Sequence, residues 1–180
     1  DYEILKNIEG VAYVNPSYSV NNAYIKLLDP RETKNANVSG VTSDNRYIDN
    51  PTILYGRYIS DNDVDMRTNV CVIYDTTADV VFGHCDESVV GEKISIKTWK
   101  GTTKFTVVGI LENTNASTQT AYSDEYPENV VIPITTAMKL RGSDIISGFT
   151  VLPEDINHSE ALTTVTTDTL SEAHRNEDKY

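Results

Sequence analysis

Three carboxylates at alternate positions, Asp61, Asp63 and Asp65, stand in the stretch GRYISDNDVDM, residues 56–66. Oxygen ligands spaced this way suit a calcium-binding loop, which also needs a glycine at its sixth position and a bidentate acid at its twelfth. Counted from Asp61, those positions hold Met66 and Val72, so both requirements fail. The same residues fit a helix start. Ser60 would be the N-cap, and Asp61 and Asp63 would occupy the first turn, where the helix dipole favours negative charge. The expectation is architecture, not a metal site.

The remaining reactive residue types are sparse. His84, His158 and His174 are the only histidines, and none lies in a zinc-protease or nucleophile-elbow frame. His84 and Cys85 are adjacent, a spacing that seldom lets both side chains reach one ion. No phosphate-binding loop of the G-x-x-x-x-G-K-[ST] type occurs. An acid pair for glycoside hydrolysis could be drawn from the 27 Asp and Glu, but abundance singles out none. No catalytic, cofactor-binding or metal-ligating residue is assigned, and no cofactor. Cys71 sits in an apolar run and reads as a core residue; with Cys85 it forms either one disulfide or two thiols. The sequons at Asn37, Asn115 and Asn157 matter only in a glycosylating host.

The elements holding these residues must come from a chain of 180 residues, 39% hydrophobic, with a net charge of −12. That length suits one generous domain or two small lobes. The negative field repels phosphate backbones and anionic headgroups, which argues against nucleic-acid binding over a broad basic surface. No apolar run reaches the ~18 residues of a membrane span. The chain opens on Asp1 without a signal peptide, as expected of a processed form or a segment of something longer. Eleven Tyr against three Phe and one Trp suit a thin core with half-buried strands, or a protein-binding face.

Along the chain, YEILKNIEG predicts a short helix ended by Gly10. VAYVNPSYSV and NAYIKLL predict extended segments broken at Asn-Pro and Asn-Asn, DPRETKNAN a polar connection and VSGVT a short strand. SDNRYIDN predicts one helical turn before Pro51. NVCVIYD reads as a strand, and TTADVVFG as a helix capped by Asp75 or Thr76 and ended by Gly83. Residues 90–111 predict a β-hairpin with Lys100-Gly101 as its turn, and the Val107-Val108 doublet predicts a bulge or burial on both faces. Residues 112–129 form the longest stretch without a pattern, a length often functional or mobile. VVIPI predicts a strand with Pro133 at its end or on an edge, followed by a helix with Thr135 as N-cap and Gly142 as terminator. ISGFTVLP predicts another strand. The tail from Asn157 to about His174 predicts a helix that depends on packing against a sheet, because its five Thr lower propensity. The fold class is α+β. A βαβ-type sheet-and-helix lobe is expected from 1–45 with 127–180, and an inserted strand-rich lobe with a β-hairpin from 46–126.

Taken in order, several pieces resemble the extracytoplasmic core domain of MacB-type, FtsX-like ABC transporter permeases. They are Gly56-Arg57 ahead of Ser60 and Asp63, a strand and helix ending in Phe82-Gly83, and Val90, Gly91 and Ile94. Phe105 to Gly109 and the strand VVIPI with its following helix complete the set. IEGVAYVNPSYS and EAHRNEDKY also resemble that family's flanks. The resemblance implies two lobes, a domain tethered between two membrane helices, and no catalytic residue to transfer. It implies a non-catalytic role in export, efflux or mechanotransmission, coupled to a separate cytoplasmic ATPase subunit, with a hinge between lobes. Implied partners are its own transmembrane helices, that ATPase, a homodimeric permease and an extracytoplasmic adaptor or peptide cargo. It also implies a place at the cell membrane, with the domain on the extracytoplasmic side, and the Lys-, Asn- and Tyr-rich composition points to a Gram-positive bacterium. Loop 112–129 and exposed Tyr residues would be the contact regions. Two rival readings are a secreted peptide- or glycan-binding module and an acid-pair hydrolase.

Overall fold

The computed structural model describes residues 1–29, 31–114 and 127–177. The central part of loop 112–129, the sequon at Asn115 and the last three residues of the tail lie outside the described residues. In chain order the elements are α1 (Tyr2–Lys6), β1 (Val11–Lys26), β2 (Thr33–Val41), α2 (Asn45–Asp49), β3 (Ile53–Gly56), α3 (Asp61–Asp65) and β4 (Val70–Tyr74). They continue with α4 (Asp75–Phe82), β5 (Lys93–Thr98), β6 (Gly101–Leu111), β7 (Glu128–Pro133), α5 (Ile134–Arg141), β8 (Gly148–Pro153) and α6 (Ser159–Glu177).

The α+β class holds, and the sheet closes on itself. Strands run in the order β2-β7-β4-β6-β5-β1, and β1 pairs back onto β2, giving a six-stranded ring; β8 joins β1 and β3 joins β6. Pairing is parallel for β2–β7 and β4–β6 and antiparallel elsewhere. The inward face of every ring strand contributes to one apolar core, including Val20, Ile25, Val38, Ile73, Ile96, Phe105 and Ile132, which Ala78 and Val81 of α4 and Ala137 and Leu140 of α5 complete. Strands from 1–45 and 127–180 (β1, β2, β7) and from 46–126 (β4, β5, β6) therefore share one ring and one core. A smaller cluster of Val41, Tyr58, Ile59, Val72, Leu111 and Val131 lies on the outward face.

Local chemistry explains where elements depart from expectation. The two extended segments at the start are one strand, β1, because a bulge at Asn21-Asn22 absorbs the break: pairing shifts between Val20 and Ala23, and Asn22 takes a left-handed φ of 54°. Inward phase is thus kept on both sides of the bulge. Most of the expected polar connection belongs to β2, since its alternate residues Ala36 and Val38 are buried. The hairpin turn is Trp99-Lys100, with Gly101 opposite Thr98 as the first residue of the return strand. The Val107-Val108 doublet does carry a bulge, where the register to β4 slips. Gly109 sits there because an added Cβ would lie 2.1 Å from the Arg57 carbonyl oxygen.

Caps were placed imperfectly by sequence. Tyr74, not Asp75 or Thr76, is the N-cap residue of α4, and Pro133 is that of α5. Thr135 is instead a stitch: its hydroxyl donates to the Val64 carbonyl of α3 at 2.5 Å, while Thr136 donates to the Thr68 carbonyl, between α3 and β4, at 2.9 Å. The tail helix α6 packs on α1. Its threonines Thr163, Thr164, Thr166, Thr167 and Thr169 donate back to carbonyls of their own helix, so their hydroxyls are satisfied without a covering layer.

Candidate functional site

The alternate aspartates part company in the structure. Ser60 and Asp63 form a reciprocal capping box at the start of α3. Asp63 is buried, and its carboxylate accepts from Arg57 at 2.6 and 3.2 Å, from the Ser60 backbone N–H and hydroxyl at 3.0 and 2.6 Å, and from the Thr68 hydroxyl at 3.1 Å. Burial alone would raise its pKa. The Arg57 and Ser60 hydrogen bonds outweigh that and hold the carboxyl well below the usual carboxylate range. Asp61 accepts from the Ser43 hydroxyl, and Asp65 is exposed. Both oxygens of Asp63 are engaged by Arg57, Ser60 and Thr68, which makes this corner a brace.

The other reactive types are equally dispersed. His84 faces the Phe82 carbonyl at 3.0 Å, and His158 pairs with its neighbour Asp155 at 3.3 Å. Cys71 is fully buried and Cys85 half-buried, and both are free thiols. Burial pushes the Cys71 thiol up; burial and then Asp79 and Asp75 do the same for Cys85, so neither is an activated nucleophile. Among the described residues no group of three or more His, Cys, Asp or Glu could hold a metal ion.

What the structure does gather is a seam at the two ends of the chain. α1 packs against α6, and His174 Nε2 lies 3.2 Å from the Asp1 carboxylate. From α1, Tyr2 donates to Asp44 at 3.4 Å, and Lys6 lies 3.8 Å from the same carboxylate. Asp44 is the N-cap residue of α2, whose Tyr47 stacks on Tyr13 of β1 with ring centroids 4.5 Å apart and planes 13° from parallel. Through Ser43 and Asp61 the same turn touches α3, which Thr135 ties to α5.

Beside α2 lies a polar cavity of about 280 Å³, lined among others by Asn15, Asn45, Asp49, Tyr58 and Tyr74. Asn45 is buried and donates through Nδ2 to Asp49 at 2.9 Å and to the Tyr58 hydroxyl at 2.8 Å. The carboxylate can only accept, which fixes the amide's orientation and leaves Asn45 Oδ1 facing away. Asn45 Oδ1, Asn15 Oδ1 and Thr42 Oγ1 are buried without a hydrogen-bond partner among the described residues. Burial pushes the Tyr58 hydroxyl up to about 12, with the Asn45 hydrogen bond opposing and Asp49 and Tyr74 reinforcing the shift. It stays a neutral hydroxyl at physiological pH. Sequence reading passed over Asn15 and Asn45. Their only signal was an amide at an alternating strand position and another inside a one-turn helix.

The seam, brace and cavity sit on a fold with clear relatives. Residues 1–168 match the family model of the MacB-like periplasmic core domain. The macrolide export ATP-binding/permease protein MacB of Hyphomonas neptunium is 30% identical over 156 residues, covering 86% of this chain and 22% of that protein. Its counterpart from Bdellovibrio bacteriovorus is 30% identical over 139 residues, covering 77% of this chain and 19% of that protein. The chain thus spans about a fifth of the curated relatives it matches. Among solved structures, the periplasmic region of MacB from Actinobacillus actinomycetemcomitans superposes with a TM-score of 0.70 at 16% identity, covering 99% of this chain and 82% of that one. The extracellular domain of the ABC-type transporter YknZ from Gram-positive bacteria gives a TM-score of 0.70 at 17% identity, covering 89% and 75%.

Proposed function

The chain belongs to the MacB-like periplasmic core domain family and is the extracytoplasmic core domain of an ABC transporter permease, and from that premise we propose that it works as a non-catalytic lever. In this reading, membrane helices driven by a cytoplasmic ATPase move the domain, which transmits their displacement to cargo or to an extracytoplasmic partner. The observation that supports the reading is the seam: Asp1 and His174 are in contact and α1 packs on α6, a juxtaposition that suits a two-stemmed attachment. Force entering there meets Asp44, α2, α3 and α5 in succession, through the contacts of Tyr2, Lys6, Ser43 and Thr135. Because the ring closes and one core fills it, the six ring strands move together under such a load.

Export, dimerisation of the permease and use of an adaptor belong to the same proposal. The expectation of a Gram-positive source gains no support from the likenesses, which include the periplasmic region of one transporter and the extracellular domain of another. The test inserts flexible Gly-Ser segments ahead of Tyr2 and beyond α6 in the full-length permease. Folding and basal ATP hydrolysis should persist while transport is lost. Transport at the unmodified rate would overturn the lever reading.

A further inference from the structure

In a chain of net charge −12, residues 93–111 contain four lysines and no acid. β5 and β6 alternate, so Ile94, Ile96 and Phe105 enter the core while Lys93, Lys97 and Lys104 point outward. Register places Lys97 opposite Thr102 and Lys104 opposite Ser95, the residue between Lys93 and Lys97, so the three lysines hold neighbouring positions on one face. Across the next pairing Tyr24 lies opposite Lys97 and Ile25 opposite Ile96, which carries Lys26 onto the same outer face. None of these lysines is within ion-pair distance of a carboxylate among the described residues. Like charges crowded across strands are unfavourable for an isolated sheet.

The hairpin tip adds an anchor. Trp99 is 74% exposed, with Lys100 Nζ 5.3 Å from its ring centroid. Lys100 also donates to the Lys139 carbonyl at 3.3 Å and, with Arg67 and Lys139, borders a groove of about 490 Å³ whose one acid is Asp144. Tyr24, 39% exposed, supplies a second aromatic on the sheet face. An exposed aromatic framed by unpaired cations has the chemistry of a protein-interface hot spot.

We propose that the outer face of β5 and β6, with Trp99 at its tip, is a docking surface for an acidic protein segment carrying an apolar side chain. Charge complementarity selects the acidic partner, and Trp99 receives the apolar group. A membrane surface fits less well: Ser95, Thr102 and Thr106 share the lysine face beside Trp99 and Tyr24, and the chain's overall negative charge opposes anionic lipid.

The test titrates the full 180-residue chain with a labelled oligoglutamate peptide bearing a central leucine, at low and at physiological salt. In parallel, it is sedimented with phosphatidylglycerol-containing vesicles. The peptide should bind, weaken as salt rises, lose roughly tenfold or more in affinity with K93E/K97E/K104E, and lose about threefold with W99A. The milder K93Q/K97Q/K104Q variant, checked by thermal melting, should fall between. Peptide binding unchanged by charge reversal, or no binding, would overturn the proposal. Vesicle binding without peptide binding would replace it with a membrane-contact role.

Discussion

Two buried polar regions flank the small outward core, and they are finished differently. At the α3 corner, Asp63 has five donors from three side chains and one backbone amide, and both its oxygens are engaged. Beside α2, Asn45 spends its donor on Asp49 and Tyr58 while its oxygen, with that of Asn15, has no hydrogen-bond partner among the described residues. A saturated network rigidifies, because any rearrangement must break several bonds at once. An unsaturated one leaves acceptors for water or an incoming donor, and repacks at lower cost. The contrast separates a structural brace from a place where the domain can accommodate change.

The comparison breaks first at Asp63. Replacing it with Ala strands Arg57, Ser60 and Thr68 together, and should cost about 3 kcal/mol in chemical denaturation. A loss under about 1 kcal/mol would show that the corner is no brace. Acid titration should give a smaller, graded effect. The folded-state pKa of Asp63 is depressed, so its contribution is complete above the usual carboxylate range and is lost as pH falls below that range toward the folded value. Wild type should therefore lose stability below about pH 4 more steeply than Asp63→Asn, and parallel curves would contradict this. At the cavity, Asn45→Ala should cost only about 1 kcal/mol, because two hydrogen bonds are exchanged for the removal of an unpartnered oxygen. Least of all, Asn15→Leu should change stability by about 0.5 kcal/mol or less, read from the denaturation midpoint; a large loss would mean that its oxygen is bonded after all.

The brace was legible in sequence because capping is local: Ser60 and Asp63 are three residues apart, and their chemistry needs nothing distant. The strands of the hairpin, the bulge at Val107-Val108 and the helix terminators Gly83 and Gly142 were legible for the same reason. Ring closure was not, since nothing within β1 says that it will pair with both β2 and β5. Nor was the cavity, whose Asn15 and Asn45 meet only once β1 and α2 are packed. The mistaken caps at Thr135 and Asp75 share a cause, because a hydroxyl or carboxylate near a helix start can serve a neighbouring element just as well. Thr135 reaches α3, and Asp75 accepts from the Asn113 backbone N–H at 3.2 Å.

The contact between Asp1 and His174 makes the fold portable. With Asp1 against His174, the domain can be spliced as a cassette between two host positions that are themselves neighbours, and the host need not open a gap to receive it. The same geometry permits re-stringing the chain: a bridge from α6 near His174 to Asp1, with new ends cut at the Trp99-Lys100 turn, would preserve every pairing of the ring.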